Sequence, residues 1–178
     1  MPTKDQEKAL VMIYGSSGSG KTTDCGYSFP NGLFIAARGA LQSIRHTCGY
    51  EPATIEATTI DDATKTLTKV TQQGGKYDAI VIDDFSFLAE QTMAFWEKKT
   101  SGSTLFKKLR DSVLGFRNAA RYANAHVVLN CWIQPPKTKN DGSYVRGGPM
   151  LSGKLPEQVP AMCDLVLQCS EDQGRQPW

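Results

Sequence analysis

Residues 9–22 read ALVMIYGSSGSGKT, an unbroken apolar run followed by a loop of glycine and serine and then a lysine and a threonine. Short apolar runs of this kind are typical of strands that are buried on both faces of a parallel sheet. The loop fits the pattern GxxxxGK[ST], in which backbone N–H groups bind an anion at the start of a helix. The stretch therefore predicts a strand over 9–14, a phosphate-binding loop from Gly15 to Gly20 and a helix from Lys21.

The chemistry of nucleotide binding accounts for the residue types in this loop. Glycines allow the backbone angles and the close approach that an anion-binding loop requires. Lys21 supplies a mobile cation for the β and γ phosphates, and the hydroxyl of Thr22 suits Mg²⁺. An ordinary glycine–serine turn is the alternative, but the flanking strand and helix favour a site for ATP and Mg²⁺. The predicted nucleotide-binding residues are Gly15, Ser16, Ser17, Gly18, Ser19, Gly20, Lys21, Thr22 and Thr23.

Two aspartates follow another buried run farther along the chain. Residues 79–82 read AIVI and are followed by Asp83 and Asp84. At the carboxyl end of a parallel strand, Asp83 would face the phosphate loop and is predicted to hold Mg²⁺. Asp84 is a catalytic candidate, as a base that polarises the attacking water. A cap at the strand end is the alternative for both, and it is stronger for Asp84 because adjacent strand residues point to opposite faces.

The rest of the chain alternates between apolar runs and helical spacing. Further strands are predicted over 33–37, 53–57, 126–132 and 164–169. Helices are predicted over 38–47, 61–73 (capped by Asp61 or Asp62), 85–98 and 104–123. This alternation indicates an α/β fold, with a mostly parallel sheet and helices on both of its faces. We expect residues 1–178 to form one core, and the polar run at 171–178 suggests a truncated form of a longer chain.

Composition excludes several classes of protein. The chain has 178 residues, with 20 Lys and Arg against 18 Asp and Glu, so it is not a general polycation. Its five cysteines form no CxxC pair, which argues against a zinc ribbon or a disulfide framework and fits a reducing cytosol. No apolar run approaches the roughly 20 residues that span a bilayer, and the polar N-terminus is not a signal peptide. We therefore expect a cytoplasmic protein with no membrane partner.

The order of these segments resembles one branch of the P-loop ATPases. A further strand and helix separate the phosphate loop from the strand ending in Asp83, as in RecA-like and AAA-type proteins. The sequence resembles RecA-like ATPases, and most closely the Sak-type group of small phage ATPases that act in single-strand annealing and recombination. This resemblance implies a RecA-like fold and a location in a bacterial host cell. The resemblance is carried by GSSGSGKTT (15–23), GLFIAARGAL (32–41), YDAIVIDDFSFL (77–88), HVVLNCW (126–132) and GGPMLSGKLPEQVPAMCDLVL (147–167).

The resemblance implies two further catalytic residues and one departure. A residue that senses the γ-phosphate is expected at the end of the fourth main strand, where Asn130 matches best and Gln134 is second. Lys154 stands where RecA-like filaments present a lysine to the nucleotide of a neighbouring subunit, which implies a homo-oligomeric ring or filament. RecA-like proteins carry a catalytic Glu after the second strand, but Arg38 occupies that place here. The departure implies that hydrolysis is slow or that Asp84 substitutes.

A basic, glycine-rich segment covers residues 134–153. It contains Lys137, Lys139 and Arg146 against a single acid, and Tyr144 offers a ring for stacking. Cations that follow phosphates, aromatic rings and a flexible backbone are typical of surfaces that bind single-stranded DNA. RecA-like proteins place DNA-binding loops in this interval, which implies single-stranded DNA as a partner and a single-strand binding protein as another. A solvated hairpin is the alternative interpretation.

Two other functions stay open at this point. A nucleoside or nucleotide kinase shares the phosphate loop, but its lid is usually rich in arginine, and residues 134–153 contain one arginine. A nucleotide-switched binding module with little turnover is favoured by the missing Glu after Ala37. Phosphate release with and without single-stranded DNA, and with nucleosides as acceptors, separates these functions from a DNA-stimulated ATPase.

Overall fold

The computed structural model describes residues 8–138 and 140–170 of the chain. Its strands, numbered along the chain, are β1 (Leu10–Gly15), β2 (Leu33–Ala36), β3 (Ala53–Glu56), β4 (Ala79–Asp83), β5 (His126–Gln134), β6 (Lys137–Thr138), β7 (Tyr144–Val145), β8 (Gly148–Pro149) and β9 (Leu165–Cys169). In the main sheet, parallel strands lie in the order β3–β2–β4–β5–β1–β9, and β8 pairs antiparallel with the end of β5. β6 and β7 form a separate antiparallel hairpin.

Helices connect these strands. Within the described residues they are α1 (Lys21–Ser28), α2 (Ile60–Gln72), α3 (Phe85–Glu97), α4 (Gly102–Arg121) and α5 (Leu155–Gln158), with a π-helical turn at Ile44–Cys48 and a 3₁₀ turn at Pro160–Met162. α4 buries Leu105, Leu109 and Phe116 on one face, as the spacing of its apolar residues predicts. No helix in the described part of the chain combines the length and apolar character needed to cross a membrane.

The strand order brings the phosphate loop and the acidic pair to one edge of the sheet. β5 lies between β1 and β4, which confirms that the acidic strand is separated from the phosphate-loop strand by an intervening one. Ile13 on β1 pairs with Asn130 on β5, and Ala36 on β2 pairs with Asp83 on β4. Because these strands are parallel, their carboxyl ends meet at the edge where open α/β sheets bind ligands.

Apolar layers cover both faces of the sheet. One face packs against α2, α3 and α4, and Leu67 and Phe116 are among the buried residues there. The other face packs against α1 and the π-helical turn, and Phe34 and Ile44 are buried in that layer. Strands covered on both faces must be apolar throughout, which is why they appear in the sequence as solid runs. The arrangement confirms the predicted α/β fold class.

Two local predictions are wrong in part. The helix predicted over 38–47 begins only at residue 42 and continues as the π-helical turn, because Gly39 has a φ of 81°, which does not fit a helix. The predicted helix over 61–73 runs over Ile60–Gln72 and is capped by Thr59 instead of an aspartate. Thr59 Oγ1 accepts from the N–H of Asp62 at 3.2 Å and donates to its carboxylate at 2.8 Å, so Asp62 supports the cap from inside the helix.

Candidate nucleotide-binding site

The loop between β1 and α1 has the backbone of an anion-binding site. Gly18 and Gly20 have φ angles of 80° and 89°, in the left-handed region that glycine adopts without strain. Gly20 is the N-cap of α1, and its lack of a side chain leaves the start of the helix open. Among the described residues, the N–H groups of Gly18, Gly20, Lys21 and Thr22 have no acceptor. These donors and the positive end of the helix suit a phosphate group.

Lys21 places a buried cation in this loop. The residue is 8% exposed, and its Nζ donates to the carbonyl oxygens of Gly15 at 2.9 Å and Ser16 at 2.8 Å. A Cβ at Gly15 would lie 2.6 Å from the carbonyl oxygen of Cys169, so only glycine fits between the loop and β9. The loop therefore combines an ammonium group with available N–H donors, which is the charge distribution that a triphosphate requires.

Thr22 and Asp83 lie side by side, although they are far apart in the sequence. Thr22 Oγ1 donates to Oδ1 and Oδ2 of Asp83, at 2.9 and 3.0 Å. Burial raises the pKa of the Asp83 carboxyl, while hydrogen bonds from Asn130 and Thr22 favour its ionised form. A hydroxyl and a carboxylate beside a phosphate-binding loop are the oxygen ligands that Mg²⁺ prefers, so this pair fits that ion.

Asn130 is fully buried and links Asp83 to α1. Its Nδ2 donates to Asp83 Oδ1 at 2.9 Å, and its Oδ1 accepts from Cys25 Sγ at 3.6 Å. Burial raises the pKa of the Cys25 thiol to about 12, so the thiol stays protonated at neutral pH and remains a donor. Sequence reasoning missed this role of Cys25. The signal for it is its position one helical turn after Lys21, on the face of α1 that meets the sheet.

The end of β5 differs from the prediction and changes the setting of Asn130. The strand continues past Trp132 to Gln134, because β8 pairs Ile133 with Pro149 and Gln134 with Gly148. Asn130 therefore lies inside the strand instead of at its end. Gln134, the second candidate for a γ-phosphate sensor, ends the strand and lines the cleft described below.

Asp84 follows Asp83 through a cis peptide bond and is the N-cap of α3. Its Oδ1 accepts from the N–H groups of Ser86 at 2.8 Å and Phe87 at 3.4 Å. Burial is the main cause that raises the pKa of Asp84 to about 7, and the charge of Asp83 acts in the same direction. Asp84 therefore does act as a cap, of α3, which is the alternative role considered for it above. Because the cap uses one carboxylate oxygen, it is compatible with a role as a base.

Ser86 is a second residue that sequence reasoning missed. It is fully buried, and its Oγ accepts from the N–H of Trp132 at 3.0 Å. Its own N–H donates to Asp84, so it joins the acidic pair to β5. Serine at the start of a helix is too common to be singled out from sequence, and only the pairing of β4 with β5 reveals this contact.

Arg38 lies just beyond β2, where RecA-like proteins carry a catalytic Glu. Its side chain is exposed, and it lines a small cavity of about 190 Å³ together with Glu56. Glu56 ends β3 and pairs with Ala36, which in turn pairs with Asp83 on the other side. The structure therefore brings Glu56 to the same edge of the sheet as Asp83.

The basic segment borders a large cleft. Lys137 and Arg146 are exposed and line this cleft, which has a volume of about 1040 Å³. Tyr144, also exposed, and Tyr14 line it as well, so two aromatic rings accompany the two cations. Lys139 lies outside the described residues. The structure thus brings two of the three predicted DNA-binding cations to one concave surface.

Lys154 lies apart from the phosphate loop. It is exposed and is the N-cap of α5. Among the described residues, no hydrogen bond or ion pair joins it to residues 15–22. The assignment of Lys154 to the nucleotide of a neighbouring subunit stays a prediction from the sequence.

Comparisons with known proteins give the family. A family model described as an AAA domain matches residues 7–176. No curated protein matches the chain. Among solved structures, the chain is similar to a prototypical ATPase from the type III secretion system of pathogenic bacteria, with a TM-score of 0.62 and 13% identity. The match covers 92% of this chain and 52% of that ATPase, so this chain spans about half the length of the ATPase. Because the identity is only 13%, the likeness shows the fold alone. The chain belongs to the AAA domain family and has the fold of a P-loop ATPase.

Proposed function

We propose that this chain binds ATP with Mg²⁺ and hydrolyses it, and that the bound nucleotide controls binding to single-stranded DNA. The contact between α1 and β4 is the observation that supports the first part. Thr22 Oγ1 lies 2.9 Å from Asp83 Oδ1, next to a buried Lys21 and a row of available N–H donors. A cation, a hydroxyl and a carboxylate at a helix N-terminus are the groups that hold a nucleotide triphosphate in P-loop proteins.

The residues of the site would divide the work of binding. Lys21 would contact the β and γ phosphates, and the N–H groups of Gly18, Gly20, Lys21 and Thr22 would surround the phosphate chain. Thr22 and Asp83 would hold Mg²⁺, which supplies neutralising charge to the phosphate oxygens when it is bound. Asn130 touches Asp83, so it would act as a positioning residue that fixes the carboxylate.

Asp84 is our candidate for the base that orients the attacking water. It is next to Asp83, it is only half-buried, and the cap uses only its Oδ1, which leaves Oδ2 to accept a proton. Arg38 holds the place of the RecA-like catalytic Glu, so Asp84 would have to activate the water from a different position. We therefore expect slow turnover.

The DNA-binding part of the proposal is supported by the cleft beside the β6–β7 hairpin. Lys137 and Arg146 would contact phosphates, and Tyr144 and Tyr14 would stack on bases. Lys139, which belongs to the same segment, is included in the proposal on sequence alone. β5 contains Asn130, which contacts Asp83, and its last residue, Gln134, lines the cleft. We therefore propose that β5 is the element through which the bound nucleotide affects the DNA-binding surface.

A ring or filament of copies is the assembly that we propose, because Lys154 stands where RecA-like filaments present a lysine to the nucleotide of a neighbouring subunit. In such an assembly Lys154 would stabilise charge on the nucleotide of a neighbour. The resemblance to the Sak-type phage ATPases supports a role in recombination or strand annealing inside a bacterial host cell, together with a single-strand binding protein.

Phosphate release measured with and without single-stranded DNA tests the proposal. We expect slow release from ATP, acceleration by DNA, and growth of light scattering when ATP and DNA are both present. Transfer of phosphate to an added nucleoside would identify a kinase instead. ATP binding in a calorimeter without release of phosphate, even with DNA, would identify a nucleotide-switched binding module, which the missing Glu after Ala37 favours.

A further inference from the structure

A second concave surface borders α5, and Gly153 lines both this surface and the cleft. Pro156 and Glu157 line the cleft, whereas Leu155 and Gln158 face a separate groove between α5 and the start of α4. We call it the α4–α5 groove, and its volume is about 400 Å³. The lining residues that matter below are Phe106, Lys107, Leu109, Arg110, Lys154 and Leu155.

The lining of the α4–α5 groove includes an apolar surface with one exposed aromatic ring. Leu109 and Leu155 are almost completely buried, whereas Phe106 is 46% exposed. A Cβ at Gly153 would lie 3.1 Å from Cδ1 of Phe106, so the ring rests against a backbone that only glycine keeps this close. Gly153 also has a φ of 65°, in the region that favours glycine. The Phe106 ring therefore lies against the backbone of Gly153 on one side and stays exposed to water on the other.

All the charged side chains that line the α4–α5 groove are positive. Lys107, Arg110 and Lys154 line it, and no acidic residue does. None of these three cations forms an ion pair with any residue in the described ranges. The cleft differs, because Glu157 lines it beside Lys137 and Arg146. The groove thus combines three cations with an apolar surface and contains no internal counter-charge.

We propose that the α4–α5 groove binds an acidic peptide segment of a partner protein that carries one aromatic or large aliphatic side chain. Lysine and arginine recognise carboxylates through charge-assisted hydrogen bonds, and clusters of them select acidic motifs. An apolar side chain packed on the exposed ring of Phe106 would remove that ring from water and act as the anchor. This inference does not depend on nucleotide binding, and its test uses Phe106, Lys107 and Arg110 instead of Lys154, which the proposed function assigns to a neighbour's nucleotide, so it can fail while the proposed function holds.

Two observations favour a peptide over single-stranded DNA at this groove. Surfaces that bind single strands usually extend over about 4–16 nucleotides. A volume of about 400 Å³ is near the lower end of the range for compact ligand pockets and accommodates only a few side chains. The cleft, at about 1040 Å³ and with two tyrosines, is better suited to a strand of nucleotides.

Fluorescence anisotropy with a defined probe tests this inference. The probe is a short fluorescein-labelled peptide in which one Phe is flanked by aspartates, titrated with the full chain in the absence of nucleotide. We expect the peptide to bind, and we expect binding to weaken about tenfold when Phe in the probe is replaced by Ala. Replacing its aspartates by asparagines should have an effect of similar size, with a strong dependence on salt.

Variants of the chain assign the probe to the groove. Lys107→Glu with Arg110→Glu, and separately Phe106→Ala, should each weaken the peptide by about tenfold or more. Lys69→Glu with Lys76→Glu, two exposed charge reversals away from both the cleft and the groove, is the matched control and should bind as the wild type does. ATP binding and circular dichroism should be unchanged in all of these variants, because the altered residues are exposed and outside the nucleotide site.

Three results would overturn the inference. The first is unaltered peptide binding in the Lys107→Glu, Arg110→Glu variant. The second is a pair of results that would identify a nucleic-acid surface: an oligothymidine with the same net charge as the peptide displaces it, and the probe without Phe binds as tightly as the probe with Phe. The third is a change in the oligomeric mass of the groove variants without peptide, which would identify the groove as a contact between copies of this chain.

Discussion

The amide of Asn130 donates a hydrogen bond of 2.9 Å to the carboxylate of Asp83, from β5 to the neighbouring β4. Both side chains are buried, and a buried polar group without a partner is costly. Thr22 donates to the same carboxylate from α1. Three elements of the fold thus meet at one carboxylate, and a substitution there should affect stability and nucleotide chemistry together.

Asn130→Ala tests this relationship directly. It removes a donor from Asp83 and an acceptor from Cys25, so it should lower the free energy of unfolding by about 1–3 kcal/mol. ATP turnover should fall about 10- to 100-fold, as it does when residues that orient metal ligands are removed. Urea titration and phosphate release measure the two effects. Cys25→Ser, which keeps a donor toward Asn130, is the control and should retain most of the activity. Full turnover in Asn130→Ala would contradict the positioning role.

Lys21→Ala should reduce ATP turnover by about 10²-fold or more, because it removes the cation nearest the phosphate chain. Calorimetry should show greatly weakened binding of ATP. Lys69→Ala on the exposed face of α2 is the matched control and should behave as the wild type does. Unchanged turnover in the Lys21 variant would overturn the assignment of the loop.

Asp84→Asn separates the two roles of Asp84. Asparagine is as good an N-cap as aspartate, so α3 should start normally and stability should change little. Turnover should nevertheless fall about 10²- to 10⁴-fold while ATP binding persists, since the base is removed. Asp84→Ala should abolish turnover as well and also cost about 1 kcal/mol of stability, because the cap is gone. If Asp84→Asn turns over ATP normally, Asp84 is a cap alone.

Removal of charge from the cleft should weaken the binding of single-stranded DNA, because cations there would neutralise its phosphates. Each phosphate that is no longer neutralised should reduce the slope of log K against log salt by about 0.7. Lys137→Ala combined with Arg146→Ala should therefore lower the slope by about 1.4. Filter binding at several salt concentrations measures this, with Lys69→Ala as a control. An unaltered slope would show that DNA binds elsewhere.

Mixing of two inactive variants tests the action of Lys154 on a neighbour. Lys154→Ala should reduce turnover, because the nucleotide of the adjacent copy loses a cation. Added to Lys21→Ala, it should restore some activity, since about one quarter of randomly mixed interfaces join an intact loop to an intact Lys154. Mixtures that stay as inactive as their components would contradict a role in trans.

Much of the fold follows from local patterns. β1, β2 and β4 are solid apolar runs because both faces of the sheet are covered, and a run of this kind is visible in the sequence. The helix predicted over 38–47 starts late, at residue 42, because Gly39 adopts a left-handed conformation, which a periodicity of apolar residues does not report. The cap of α2 shifted to Thr59 because two hydrogen bonds with Asp62 stabilise it there.

The candidate site also has one part that local sequence patterns predict and one part that they do not. Its phosphate loop is contiguous, from Gly15 to Thr23, so spacing and residue type were enough to predict it. The partners of Asp83 come from α1 and β5, and Cys25 and Ser86 have no local signature. Only the order of parallel strands, which is set by long-range packing of apolar faces, places these side chains within hydrogen-bond distance of one another. The same packing separates the cleft from the α4–α5 groove, which no pattern of neighbouring residues encodes.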